Sequence, residues 1–157
     1  MCIRDRRVQC LIGNLVHDYP SEDTAVVILE FENGAKGMVD NLFNVPDSSS
    51  KNRLELYGSR GSILAEGTIG QGEIGEMTAY LEDASGDYDA QQNRGAGKTV
   101  SIAPSPVNMY RAEVEAFSQA VLNDLTPPVD GEAGLWIQKV LVACYESAKS
   151  GRAVDAR

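Results

Sequence analysis

A chain of 157 residues is long enough for one domain with a real core and short for two. Its composition, 43% hydrophobic and 24% charged, is that of a folded globular protein and not of a disordered one. Fourteen Lys and Arg against 23 Asp and Glu give a net charge of −9, which repels phosphate backbones and anionic lipid heads; neither nucleic acid nor a membrane surface is an expected partner. No apolar run approaches the roughly 18 residues that span a bilayer, and residues 1–9 hold no apolar core of a secretion signal. The three cysteines, Cys2, Cys10 and Cys144, lack CxxC spacing, so a disulfide scaffold is not expected and a reducing cytoplasm is. A single histidine, His17, leaves no multi-histidine metal site, and no metal is expected.

Residues 1–7 are dense in charge, aperiodic, and lead into nothing; they read as a non-native leader, with one domain over 8–157. Residues 8–16 alternate as a strand, and 17–23 form a polar loop broken by Pro20. The clearest local signal follows. Residues 24–32 and 35–43 are apolar runs joined by Asn33 and Gly34, the pair that suits a two-residue type I′ hairpin. That turn would pair Phe31 with Lys36 and Leu29 with Met38. One face would then carry Ala25, Val27, Leu29, Phe31, Met38 and Leu42, and the other Val26, Ile28, Val39 and Phe43. Both faces are apolar, whereas a sheet with one wet side alternates apolar with polar. Each side therefore needs a cover.

Residues 46–50 form a loop, and 53–57 and 62–64 are strands turned at Gly58-Ser59-Arg60-Gly61. Further strands are expected over 77–81 and 99–103, separated by a long polar loop over 82–98 whose carboxylates Asp83, Asp87 and Asp89 read as a solvated run. Asn108 then caps a helix with Tyr110, Val114, Phe117, Val121 and Leu125 on one face, stopped by Pro127 and Pro128. Asp130 caps a second helix over 131–150, with Ile137, Leu141, Cys144 and Ala148 on one stripe and Trp136, Val140 and Ala143 beside it, a width that predicts burial on more than one side. Lys149 and Gly151 suit its C-terminal end, and 153–154 reads as a short return strand. The fold class is α+β: a predominantly antiparallel sheet, two C-terminal helices on one face, and the other face open to a partner domain or subunit.

Gly70-Gln71-Gly72-Glu73-Ile74-Gly75 matches G-x-G-x-x-G, but Glu66, Glu73 and Glu76 crowd it and a strand, not a helix, follows; it reads as a glycine loop. Gly95-Ala96-Gly97-Lys98-Thr99 imitates the end of a phosphate-binding loop, yet Gln92 stands where the first glycine belongs. His17 beside Asp18 and Asp23 is a solvated loop residue rather than a general base, and Cys144 on an apolar stripe is a buried small hydrophobe. The residues themselves supply no self-sufficient active site.

Glu22-Asp23-Thr24-Ala25, the hairpin Phe31-Glu32-Asn33-Gly34-Ala35-Lys36-Gly37, and Leu54-Glu55-Leu56-Tyr57-Gly58-Ser59-Arg60-Gly61-Ser62-Ile63 stand in a telling order. They are followed by Tyr110 to Glu113 with Phe117, Pro128 to Glu132, Ala143, Ser147 and Gly151 to Val154. In that order and spacing the chain resembles the C-terminal domain of the Gfo/Idh/MocA oxidoreductases, which include inositol and other sugar dehydrogenases. The resemblance implies a two-domain enzyme. NAD or NADP and the catalytic Asp/His helix would belong to a Rossmann half and a segment before Val8, so the chain would be N-terminally truncated. It would hold no cofactor-binding or catalytic residue and be inactive alone. The resemblance places Ser50, Lys51, Asn52 and Tyr110 where such proteins touch substrate, and hydroxyl and amide groups suit a sugar or polyol. For Tyr110 the first core residue of its helix is an equal reading, and for 50–52 a plain loop. Expected partners are a sugar or polyol, the missing Rossmann domain, and further copies of the chain through the sheet face. The alternative is a free-standing acidic α+β binding or assembly module that uses the same open face.

Overall fold

The computed structural model of the protein describes residues 4–50, 52–82 and 97–156. The elements run β1 (Asp5–Gly13), β2 (Thr24–Phe31), β3 (Lys36–Leu42), β4 (Arg53–Gly58), β5 (Gly61–Glu66), β6 (Glu76–Leu81), β7 (Lys98–Ile102), α1 (Met109–Leu122), α2 (Gly131–Ser150) and β8 (Val154–Asp155). The class is α+β as expected, with all strand pairings antiparallel. The strands form two four-stranded sheets, ordered β3-β2-β1-β8 and β4-β5-β6-β7. The chain divides into two compact units, one built from residues 1–49 and 126–157 and the other from 50–125. Among the described residues no helix is long and apolar enough to cross a membrane.

In the first unit α2 packs across β1 and β8. Val8, Cys10, Ala143 and Cys144 form the buried centre, with Val27, Leu29, Val140, Ala148 and Val154 around it. The two thiols lie side by side, and burial above all pushes that of Cys144 up to about 11, so it behaves as the small hydrophobe its position implied. The face of α2 that meets the sheet is Trp136, Val140, Ala143, Cys144 and Ser147. Ile137 and Leu141, expected in the buried stripe, stand out to solvent, because the small residues at 143, 144 and 147 let the helix turn that side onto β1. Asp130 caps the helix by accepting the Ala133 N–H at 2.9 Å, and Gly151 ends it at φ 67°.

β1 differs from its expected span. It begins at Asp5 instead of Val8, with Asp5 also accepting the Trp136 indole N–H at 3.2 Å and the Arg4 guanidinium 5.3 Å from the Trp136 ring. It ends at Gly13 and not at Val16, because the Asp23 carboxylate gathers the N–H groups of Leu15, Val16 and His17, each at 2.9 Å, and curls the chain out of the sheet.

The β2–β3 hairpin also differs. The loop has three residues, Glu32, Asn33 and Gly34, closed by the Phe31 N–H donating to the Ala35 carbonyl at 3.0 Å. Asn33 accepts the Ala35 N–H through its side chain and only Gly34 takes a positive φ, 87°, whereas a type I′ turn needs two such residues. The register is therefore one step from the expected one: Glu30 pairs with Lys36, Ile28 with Met38 and Val26 with Asp40. This exchanges the faces of β3. Val39 joins Val27, Leu29, Val8 and Cys10 on the α2 side, while Met38 and Leu42 join Leu11, Val26 and Ile28 on the side away from the helix. That second side is open: Leu11 is 67%, Ile28 54% and Met38 75% exposed.

In the second unit β4–β7 form a meander with one apolar face, on which Ala65 and Ala79 are buried. At the β4–β5 turn Gly61 has φ 145°, and a Cβ there would lie 2.2 Å from the Tyr80 carbonyl oxygen. Asn108 caps α1 by accepting the Arg111 N–H at 3.0 Å. Only Ala120 of α1 is buried; its apolar side, Tyr110, Val114, Phe117 and Val121, is exposed.

Candidate functional site

The connection between β5 and β6, residues 67–75, meets one of the expected site residues, Asn52, and the N-cap residue of α1, Asn108. Its first residue, Gly67, donates its N–H to the Asn52 carbonyl at 2.8 Å. Gly70, at φ 116°, passes so close to Asn52 that a Cβ there would sit 2.6 Å from the side-chain Nδ2. Gly75 in turn lies against Gly67, where a Cβ would meet the carbonyl carbon at 2.5 Å. Three glycines thus let one loop fold onto itself and onto Asn52, a close approach that no larger residue permits.

The far side of the same loop holds the start of α1. The Glu73 carbonyl accepts the Val107 N–H at 3.1 Å, and its carboxylate accepts from the Asn108 side chain at 3.3 Å. Asn108 therefore bonds to Glu73 through its nitrogen while its oxygen caps the helix. Tyr110 follows two residues later and is 55% exposed. Asn52 touches this loop on one side and Asn108, two residues before Tyr110, bonds to its Glu73 on the other, while Ser50 is an exposed residue at the head of the same unit. Lys51 lies outside the described residues, as do Asp83, Asp87, Asp89, Gly95 and Ala96. A hollow of about 410 Å³ at the β4–β5 turn is lined by Leu56, Tyr57, Arg60, Ile63 and Leu81 among others, and none of the candidate residues lines it.

Chemically, Asn52, Tyr110 and Ser50 offer neutral donors and acceptors suited to hydroxyl groups. The glycine loop does not fit a nicotinamide dinucleotide. It runs into β6, offers no helix N-terminus, and spends the Glu73 carbonyl and carboxylate on α1. Lys98 and Thr99, the end of the second glycine-rich run, open strand β7. Among the described residues no group of three His, Cys, Asp or Glu is placed to hold a metal ion.

His17 is exposed, its ring stacked on Tyr19 with centroids 5.2 Å apart. Asp23 does not serve its imidazole. That carboxylate, 1% exposed, accepts the backbone N–H of His17, which with the Leu15, Val16 and Thr24 donors holds it far below the usual carboxylate range. The Glu73–Asn108 joint and the Asp23 clamp are what sequence reasoning missed. The first links residues 35 apart, and the second works through main-chain donors that composition does not display.

A profile of the oxidoreductase family's C-terminal alpha/beta domain, Gfo/Idh/MocA, matches residues 5–156. D-xylose 1-dehydrogenase (NADP(+)) 2 of Haloferax volcanii is 30% identical over 128 residues, 82% of this chain and 35% of that protein. Myo-inositol 2-dehydrogenase of Thermotoga maritima is 31% identical over 128 residues, 82% of this chain and 34% of that one. The chain thus spans about a third of the length of these curated relatives. Among solved structures, aldose-aldose oxidoreductase from Caulobacter crescentus, complexed with glycerol, superposes with a TM-score of 0.77 at 23% identity, covering 98% of this chain and 42% of that one; it attests the fold. The strand order, the two helices and the profile match over nearly the whole length agree: the chain belongs to the Gfo/Idh/MocA oxidoreductase family and represents its C-terminal alpha/beta domain.

Proposed function

We propose that this chain is the substrate-binding and oligomerisation part of an NAD(P)-dependent oxidoreductase acting on a hydroxyl of a sugar or polyol. The observation that carries the reading is the family match over 5–156. The nicotinamide and the proton-transfer groups come from a Rossmann domain outside these 157 residues, so the chain alone is inactive. Ser50, Asn52 and Tyr110 contact substrate hydroxyls, with Lys51 between the first two in sequence. In a water-excluded pocket each such contact discriminates, because a substrate lacking the hydroxyl leaves its protein partner unpaired. The open face of the β3-β2-β1-β8 sheet meets further copies of the chain. On that face Leu11, Ile28, Met38 and Leu42 are apolar and solvent-exposed, the arrangement expected of an interface.

The test is a titration of the purified chain with D-xylose, myo-inositol and glycerol, followed by amide chemical shifts. The expected shifts fall at Ser50, Asn52 and Tyr110, and Asn52→Ala and Tyr110→Phe weaken them several-fold, while NADH fluorescence is unchanged by the chain. Shifts that cluster on the first unit instead, or an NADH signal from the chain alone, overturn the reading.

A further inference from the structure

Only Ala120 of α1 is buried, so side-chain packing does little to fix where the helix begins. Among the described residues, the hydrogen bonds that reach its start from outside the helix both end on Glu73. The Val107 N–H donates to the Glu73 carbonyl at 3.1 Å, and the Asn108 side chain donates to the Glu73 carboxylate at 3.3 Å. The Asn108 amide fits only one way round. Its oxygen accepts the Arg111 N–H at 3.0 Å while its nitrogen faces Glu73; turned over, it would set donor against donor and acceptor against acceptor. The cap and the joint thus use different ends of one side chain. The same loop closes on Asn52, through the Gly67 N–H at 2.8 Å and the close pass of Gly70.

We infer that Glu73 is a positioning residue for the substrate site: its bond to Asn108 sets where the first turn of α1 carries Tyr110 relative to Asn52. The inference rests on the reading that Asn52 and Tyr110 contact substrate hydroxyls. Two such contacts from separate elements select one arrangement of hydroxyls only when their spacing is held, because a hydrogen bond weakens steeply as its angle departs from linear. The cap cannot hold that spacing. The Asn108 oxygen orders the backbone of α1 itself and is silent about where the helix stands against Asn52. The Glu73 carboxylate supplies the missing reference, since it belongs to the loop that is folded onto Asn52. What the joint requires of residue 73 is an acceptor oxygen and not a charge, so an amide there serves equally well. Its requirement of residue 108 is a donor, which the cap does not need.

Those two requirements let substitution separate the joint from the cap. The purified chain and its variants are titrated with D-xylose and with myo-inositol, followed by the Tyr110 amide shift, with helix content checked by circular dichroism. Glu73→Ala removes the acceptor. Asn108→Asp keeps an excellent capping oxygen but sets carboxylate against carboxylate at the joint. In each, the dissociation constant should rise about three- to ten-fold, the net worth of one hydrogen bond, with helix content unchanged in Asn108→Asp. Glu73→Gln keeps an acceptor and should bind as the native chain does. Asn108→Asp combined with Glu73→Gln reverses donor and acceptor, and native affinity should return, a recovery that capping alone does not produce. If the native chain binds and Asn108→Asp binds equally well, or the combined variant shows no recovery, Glu73 does not position Tyr110 and the substrate contacts stand without it. If neither compound shifts Ser50, Asn52 or Tyr110 in the native chain, the reading beneath fails, and the inference with it.

Discussion

Asp23 and Ser147 show what single buried polar groups do in this fold. Ser147 is fully buried on α2; its hydroxyl accepts the Cys10 N–H at 2.9 Å and donates to the Arg152 carbonyl at 2.7 Å. Strand β8 is only two residues long and pairs with β1 at Arg7 and Val8, so the Cys10 N–H lies beyond its reach and the serine replaces a missing strand partner. Ser147→Ala would leave the buried Cys10 N–H unsatisfied and remove the bond to the Arg152 carbonyl. The expected cost is about 1–3 kcal/mol, read as a lower urea midpoint at unchanged slope. Asp23 acts through charge. Its folded pKa is depressed, first by the His17 N–H, so its contribution is complete above the unfolded carboxylate value of about 3.9 and fades as pH falls through the folded value. Urea midpoints of the native chain and Asp23→Asn should therefore differ most near neutrality and converge on acidification below pH 4. A constant gap across that range would show that the charge does not matter. Neither role was legible in sequence: Asp23 looked like one acid in a polar loop, and Ser147 like a helix residue of no special burial.

Element identities were far more legible than the register between them. Capping by Asn108 and Asp130, the end at Gly151, and the strands on either side of the Gly58–Gly61 turn all follow from local chemistry, which a sequence displays. The β2–β3 pairing was not, because Asn33 can take either of two hairpin geometries and the choice turns on a side-chain hydrogen bond to the Ala35 N–H. One step of register then moved Met38 and Leu42 to the opposite face. The exposed sides of both helices were likewise hidden, since periodicity marks an apolar stripe without saying whether anything covers it. Gly61 belongs to this scale because it sets how the β4–β5 hairpin docks on β6. Gly61→Ala puts a Cβ into the Tyr80 carbonyl and fixes an alanine at φ 145°, so the hairpin must shift off its neighbour. Proteolysis or amide exchange should then find β4 and β5 unprotected, with α2 and β1 still protected in the other unit. Unchanged protection of β4 and β5 would mean the contact is not needed.

At the scale of the whole molecule, family and fold class emerged from the order of many weak signals, while the surroundings of the candidate residues did not. Asn52 and Asn108, the cap residue two before Tyr110, both bond to or touch one glycine loop, yet they lie far apart in sequence, and the Glu73–Asn108 joint has no sequence pattern. The same separation of scales bears on the proposed self-association. Two chains of −9 repel over the long range, whereas the open sheet face brings the apolar side chains of Leu11, Ile28 and Met38 together at close range. Salt acts on the two differently. The screening length shortens from about 30 Å at 0.01 M to about 8 Å at 0.15 M, which removes repulsion between whole molecules and leaves apolar contact between them unweakened. Self-association should therefore strengthen as salt rises over this range, by sedimentation equilibrium, instead of weakening as an interface held mainly by exposed ion pairs would. A steady loss of dimer between those two concentrations would assign the dominant attraction to surface charge and take it away from Leu11, Ile28 and Met38.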